Sequence, residues 1–181
     1  MKLLKFALCC MCFVSAASAA NIRIFYSPTC PHCHHALDFI QNNLIYEYDT
    51  LSVVRVNATL QENRQEFIDV LKKCGYQSGG VPVIVIGEKC YQGYGESLND
   101  EIRSAVEVDL TDAQKKTANQ NREDMKKDRD AFVSKKASRQ NAITDRTEKK
   151  INNNNNNNIK TFVFSFIILL IAVWYIKKRR K

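Results

Sequence analysis

The stretch Tyr26–Ile40, with the sequence YSPTCPHCHHALDFI, holds Cys30 and Cys33 with a proline and a histidine between them. It follows the run IRIFY, whose apolar, β-branched and aromatic residues predict a strand. Pro31–Asn43 then places its apolar residues at helical spacing, which predicts a helix. The two cysteines are therefore predicted to lie where a strand gives way to the first turn of a helix.

This position favours reactive thiol chemistry. At the start of a helix, unpaired backbone N–H groups and the positive end of the helix dipole stabilise a negative charge on the sulfur of Cys30. Pro31 suits the first helical position because it has no N–H to leave unpaired. His32 places an imidazole beside the sulfur, where it can donate a hydrogen bond or pair with the thiolate. Cys33 is predicted to be shielded and to resolve a mixed disulfide by attacking it.

Two other roles for Cys30 and Cys33, a zinc site and a structural disulfide, are weaker alternatives. Zinc could take Cys30, Cys33, His34 and His35, but adjacent histidines on a helix point in different directions, and no second CxxC motif follows the predicted signal in residues 21–181. A purely structural disulfide is the other alternative. The sequence therefore favours a redox-active dithiol, with no metal and no cofactor beyond the dithiol itself.

The rest of residues 21–109 alternates between strand and helix patterns. The expected strands are Leu51–Val56, Val81–Gly87 and Lys89–Tyr94, and the expected helices are Thr59–Cys74 and Ser97–Val108. With the first strand and helix, the order is β-α-β-α-β-β-α, which predicts an α/β layer domain.

CPHC after a first strand, followed later by Gly-Val-Pro and then a QGYG segment, resembles the thioredoxin superfamily. The length and strand order of residues 21–109 are most similar to those of glutaredoxins, which implies a mixed four-stranded sheet and thiol–disulfide exchange. The resemblance also implies that Pro82 is a cis-proline opposite the active site and that the backbone of Val81 binds a client chain. The segment that holds a carboxylate of glutathione in glutaredoxins corresponds to Gly93, Tyr94, Gly95 and Glu96.

The Pro-His dipeptide between the cysteines resembles that of the periplasmic disulfide oxidases of the superfamily. In those proteins it accompanies a strongly stabilised thiolate and a strong oxidant. Two features depart from the glutaredoxin pattern. Uncharged Ser27 and Thr29 stand where a basic residue is common, and Gly80 stands where the usual sequence has threonine.

The two ends of the chain predict a membrane protein. Residues 1–20 carry two lysines, a short apolar run and the small residues SAASAA, which together are typical of a cleaved secretory signal. Residues 159–176 are apolar enough for a transmembrane helix, with Trp174 and Tyr175 near its end. The basic residues 177–181 follow, and the positive-inside rule places such a tail in the cytoplasm.

Between the domain and the apolar segment, residues 110–158 mix charges of both signs and end in the run Asn152–Asn158. This composition predicts a stalk that is partly helical or disordered, with a capping box at Thr111–Gln114. A coiled coil that binds a partner is the alternative, although the segment has no sustained apolar heptad.

The formal net charge of +8 comes from the two ends of the chain. Two basic residues lie in the predicted signal and six lie at Lys160 and Lys177–Lys181, which leaves 19 basic residues against 19 acidic residues between them. Residues 21–159 therefore have no net charge, which gives no indication of nucleic-acid binding.

Removal of the signal leaves two cysteines besides the CPHC pair, Cys74 and Cys90. In an oxidising compartment an even number of cysteines favours a second, structural disulfide. The alternative is that the two side chains are half-buried and merely pack.

These observations predict a membrane-anchored thiol–disulfide oxidoreductase of the oxidase or isomerase type. Its domain would face the periplasm or a secretory lumen, act on cysteines of client proteins and depend on an unidentified redox-recycling partner. Two alternatives stay open: a glutathione-dependent reductase similar to glutaredoxin, and a non-catalytic module that binds client cysteines.

Overall fold

The fold is described for residues 20–146 in a computed structural model. The asparagine run, the apolar segment 159–176, the basic tail 177–181 and all of the predicted signal except Ala20 lie outside these residues. Within residues 20–146, every helix is too short or too polar to cross a membrane.

Five strands and six α-helices make up the described part of the chain. The strands are β1 (Asn21–Tyr26), β2 (Ser52–Asn57), β3 (Val83–Ile86), β4 (Lys89–Gln92) and β5 (Ile143–Asp145). The helices are α1 (Pro31–Phe39), α2 (Ile45–Glu47), α3 (Arg64–Lys73), α4 (Asn99–Glu107), α5 (Asp112–Lys127) and α6 (Arg129–Lys135). A π-helical stretch, Ile40–Leu44, joins α1 to α2.

The strands form one mixed sheet in the order β4-β3-β1-β2-β5. β1 pairs parallel to β2 and antiparallel to β3, so that Phe25 lies between Val56 and Val83. β3 and β4 form an antiparallel hairpin. The order of these four strands, with the helices between them, is the thioredoxin-like arrangement that the sequence predicted.

Alternation along the central strand β1 supplies both faces of the sheet with apolar side chains. Ile22 and Ile24 are buried in the larger core, which is closed by α1, α2, α4 and α5. Phe25 belongs to the smaller core on the opposite face, where its ring stacks on Phe67 of α3 at 5.5 Å between centroids. The domain therefore has three layers, with the sheet in the middle.

The structure differs from the sequence prediction at residues 110–146, which fold onto the domain instead of forming a stalk. The compact unit ends at Arg146. β5 pairs parallel to β2 and makes the sheet five-stranded, so the expected four-stranded sheet is wrong. The capping box of Thr111 and Gln114 is present at the start of α5.

Polar groups attach this C-terminal region to the rest of the domain. Glu47, whose exposure is only 1%, accepts hydrogen bonds from Arg103 of α4 and Arg122 of α5. Asn121 of α5 donates to the backbone carbonyl of Glu47 at 2.9 Å. Arg139 donates to three backbone carbonyls, those of Ile45, Tyr48 and Leu51. Small and polar residues thus make contacts that a search for large apolar side chains overlooks.

Candidate active site

Cys30 lies at the carboxyl edge of β1, after a short turn, and is the N-cap residue of α1. Its backbone is extended (φ −91°, ψ 115°), and Pro31 begins the helix. Its Sγ accepts a hydrogen bond from the backbone N–H of Cys33 at 3.2 Å. A sulfur in the N-cap position takes the place that a Ser or Asp oxygen usually fills, where the helix terminus favours negative charge.

The two sulfurs of the motif have different environments. Cys30 is partly exposed, whereas Cys33 has no exposed surface. Burial, followed by its hydrogen bond with Cys30, raises the pKa of the Cys33 thiol to about 12. Both cysteines are free thiols in this structure. The pair therefore has one sulfur that a client can approach and one that is kept protonated beneath it.

The segment before β3 approaches Cys30 from across the site. The peptide bond between Val81 and Pro82 is cis, as the resemblance implied. The Cys30 thiol donates to the carbonyl oxygen of Val81 at 3.5 Å. Within residues 20–146, the N–H of Val81 has no hydrogen-bond partner. An extended peptide could pair with this free N–H while its cysteine faces Cys30.

The three histidines of the chain lie in the first turns of α1, and one has a role that the sequence did not indicate. His34 makes a hydrogen bond of 2.8 Å between its Nε2 and the carbonyl oxygen of Pro28, in the turn that leads to Cys30. Nε2 must carry a proton to donate to this oxygen. His32 is exposed, and its tuning role stays a prediction.

The segment that the resemblance assigned to glutathione lies beside a cavity, and its tyrosine is buried. Tyr94 is buried, donates its hydroxyl to Oδ1 of Asn99 at 2.6 Å and stacks on Phe39. Beside this segment is a cavity of about 230 Å³. The cavity is lined by His35, Asp38, Phe39, Asn42, Asn43, Tyr94, Glu96 and Asn99. This lining has two carboxylates, one histidine and neither Lys nor Arg, although the guanidinium of Arg103 lies 5.0 Å from the centroid of the Phe39 ring.

Cys74 and Cys90 are joined in a disulfide, with 5.8 Å between their Cα atoms. Cys74 caps the end of α3 and Cys90 lies in β4, so the bridge links these two elements. The loop of residues 75–80 runs from this disulfide to Val81 beside Cys30. No group of three or more Cys, His, Asp or Glu residues suited to hold a metal occurs between residues 20 and 146.

No family model matches the chain, and no curated protein matches it. Among solved structures, the chain is similar to a glutaredoxin from Archaeoglobus fulgidus, with 27% identity and a TM-score of 0.36. That similarity covers 46% of this chain and 86% of the other. The chain is also similar to a candidate thioredoxin from Neisseria meningitidis, with 20% identity and a TM-score of 0.33, over 52% of this chain and 78% of the other.

Proposed function

We propose that this protein is a thiol–disulfide oxidoreductase whose redox centre is the pair Cys30 and Cys33 and whose clients are cysteine-containing proteins. The observation that supports it best is the unequal placement of the two sulfurs. Cys30 accepts the helix N–H of Cys33 and faces Val81, while Cys33 is fully buried. One sulfur is thus placed to attack or be attacked, and the other is placed to resolve the intermediate.

In the oxidising direction, the Cys30–Cys33 pair begins as a disulfide. A client thiolate attacks Sγ of Cys30, the disulfide between the two cysteines breaks, and Cys33 leaves as a thiolate that takes up a proton. A second client thiolate then attacks the client sulfur of the mixed disulfide and releases Cys30 as a thiolate. The client loses two electrons, the Cys30–Cys33 pair gains them, and the two client protons go to Cys33 and to solvent.

The same geometry supports the oxidase or isomerase type over the reductase type. The N–H of Cys33 and the start of α1 stabilise Cys30 when it is a thiolate, and the thiolate exists only in the reduced form. Stabilising the reduced form makes the disulfide form a stronger oxidant. A recycling partner of unidentified nature would restore the disulfide after each turnover.

We also propose that the domain is held on a membrane and faces an oxidising compartment. The apolar segment 159–176 with its basic tail supports the anchor. The Cys74–Cys90 disulfide supports the compartment, because such bridges persist where the surroundings are oxidising. Glutathione is the less favoured alternative substrate, because Asp38 and Glu96 line the cavity beside the corresponding segment.

The proposal is tested by replacing each sulfur separately in the full chain. Cys30→Ser removes the approachable sulfur, so oxidation of a reduced, unfolded client protein should fall to the uncatalysed rate. Cys33→Ser leaves Cys30 able to form the mixed disulfide but removes the resolving thiol. Started from a preformed mixed disulfide with a client that has a single cysteine, this variant should retain the bound client, which non-reducing electrophoresis detects as a shift in mass.

Retention of client oxidation in Cys30→Ser would contradict the proposal. It would favour a non-catalytic module if, in addition, the wild-type protein bound clients without changing their thiol content.

A further inference from the structure

We infer that Gln92 is a positioning residue that holds the client-binding segment, residues 78–81, in place beside Cys30. The inference rests on the proposed function, because it assigns a role in binding the client of that reaction. Gln92 is the last residue of β4, and its side chain reaches across to the loop that precedes Pro82.

The contact consists of two hydrogen bonds from one amide group. Nε2 of Gln92 donates to the backbone carbonyl of Ser78 at 2.8 Å and to that of Gly80 at 3.2 Å. A primary amide has two N–H groups, so both are used on this loop. The neighbouring carbonyl along the chain, that of Val81, is the one that receives the Cys30 thiol.

Residues 77–81 make few hydrogen bonds other than those with Gln92. Among the described residues, the hydrogen bonds to residues 77–81 are the two from Gln92 and the one from Cys30. Residues 77–81 include Gly79 and Gly80, and Ser78 is exposed. Glycine gives a chain segment more conformational freedom than any other residue. Without Gln92, this loop would have to be ordered by the client at the moment of binding, which weakens binding.

Gly80 lies close to the side-chain amide of Gln92. A Cβ atom added to Gly80 would lie 3.4 Å from Nε2 and 3.7 Å from Cδ of Gln92. These distances are ordinary van der Waals contacts, so an alanine would fit, whereas a β-branched side chain would extend further toward the amide. The absence of a side chain at Gly80 and the presence of the amide at Gln92 are two parts of one contact.

Loss of a positioning residue and loss of a purely structural residue should affect the reactions of different substrates differently. An extended peptide has to pair with the backbone at Val81, so it requires the loop to be ordered. A small dithiol such as dithiothreitol needs only to reach a sulfur of the Cys30–Cys33 disulfide. Loss of Gln92 should thus weaken the reaction with a peptide and spare the reaction with a small dithiol.

The test uses Gln92→Glu in the full chain, oxidised at Cys30 and Cys33. This substitution keeps the length of the side chain, but its carboxylate cannot donate to the two carbonyls. With a reduced two-cysteine peptide, KM should rise about fivefold to tenfold, as expected for the loss of two hydrogen bonds, while kcat stays within about twofold. The rate with dithiothreitol should also stay within about twofold.

Gln77→Glu is the matched control, since Gln77 lies in the same loop, is exposed and makes no hydrogen bond to the described residues. It should leave the KM for the peptide unchanged. Gln92→Met removes the donors without adding a charge, and it replaces Gln92→Glu in the comparison if the charged variant does not fold.

An unchanged KM in the folded Gln92 variant would overturn the inference. Equal losses with the peptide and with dithiothreitol would overturn it as well, because they would indicate a structural role. If the wild-type protein exchanged disulfides with neither substrate, the proposed function itself would fail, which is a different result from either of these.

A double variant gives an independent check. Gly80→Thr should displace the amide of Gln92 and raise the KM for the peptide by itself. Combined with Gln92→Glu, it should raise KM little further, because the two substitutions break the same contact. Independent, multiplicative effects on KM would contradict the coupling of these two positions.

Discussion

At the scale of single residues, two backbone groups that contact Cys30 and the burial of Cys33 make the two cysteines of the CPHC motif chemically different. The N–H of Cys33 and the carbonyl of Val81 both contact the sulfur of Cys30. As a thiol, Cys30 can use both contacts. As a thiolate it keeps only the N–H, which is the contact that stabilises negative charge.

The burial of Cys33 predicts how the release of a client depends on pH. Cys33 must be deprotonated to attack the mixed disulfide, and burial, which persists when Cys30 is bonded to a client, is the largest cause of its raised pKa of about 12. The fraction of Cys33 thiolate then grows about tenfold per pH unit throughout the range below that pKa. Release from a preformed mixed disulfide should therefore accelerate by about that factor per unit between pH 7 and pH 9.

Stopped-flow measurement of the release, with a single-cysteine client that carries a fluorophore, checks this prediction. Cys33→Ser is the control and should show no such release at any pH. A rate that levels off near pH 8 would mean that Cys33 ionises as an ordinary exposed thiol does.

The sequence was sufficient to predict where Cys30, Pro31 and Cys33 lie at the start of a helix, and insufficient to predict the loop contacts around them. Cys30, Pro31 and Cys33 are neighbours in the chain, and the rules of helix termini describe their geometry. The contact of His34 with the turn at Pro28, and that of Gln92 with Gly80, depend on how loops approach a helix or a strand. The periodicity of a sequence does not show how a loop approaches a helix or a strand.

At the scale of secondary-structure elements, the helix that begins at the active site extends further than its predicted end at Asn43. The π-helical stretch continues it to α2, whose last residue is Glu47. Glu47 is almost completely buried and is bonded to Arg103 and to Arg122. The one carboxylate thus connects α2, α4 and α5.

Removal of the Glu47 carboxylate should lower the free energy of unfolding. Glu47→Ala would leave two partly buried guanidinium groups without their shared partner, and breaking a buried ion pair in this way costs about 3–5 kcal/mol of stability. Glu47→Gln, which keeps the shape and one acceptor oxygen, should cost less. Urea unfolding followed by circular dichroism measures both.

Glu123→Ala is the matched control, because Glu123 forms an ion pair with Lys126 on the exposed surface of α5. It should leave the unfolding midpoint unchanged. Equal stability of the Glu47→Ala variant and the wild type would show that the cluster does not hold these helices together.

At the scale of the whole molecule, the folded unit is larger than the sequence suggested. The strands and helices of residues 21–109 have strong alternating or helical patterns, and their order was predicted correctly. Residues 110–146 contact the domain through a few widely spaced apolar residues and through Ala118, Asn121 and Arg139, which are small or polar. The apolar residues are Leu110, Met125, Phe132, Val133 and Ile143, too few to raise a hydropathy signal. The sequence therefore indicated a stalk where the structure has two helices and a strand.

This difference predicts the result of a truncation. A protein that ends at Asp109 lacks Arg122, Arg139 and β5, so it exposes an edge of the sheet and leaves Glu47 with fewer partners. We expect it to lose most of the stability of the protein that ends at Arg146, which for a domain of this size is of the order of 5–15 kcal/mol.

Thermal and urea unfolding of the two proteins, side by side, measure the loss. Similar midpoints would mean that the region after Asp109 is only an attachment to an independently stable domain. Thiol–disulfide assays should accordingly be made with proteins that retain residues 110–146.

The placement of all three histidines within α1 has a practical consequence for spectroscopy. His32, His34 and His35 are the only imidazoles in the whole chain, and each lies within five positions of Cys30. Every histidine ring-proton resonance in an NMR spectrum therefore comes from one turn of the molecule. Oxidation of the dithiol or arrival of a client can be followed through those signals alone, without any isotopic label.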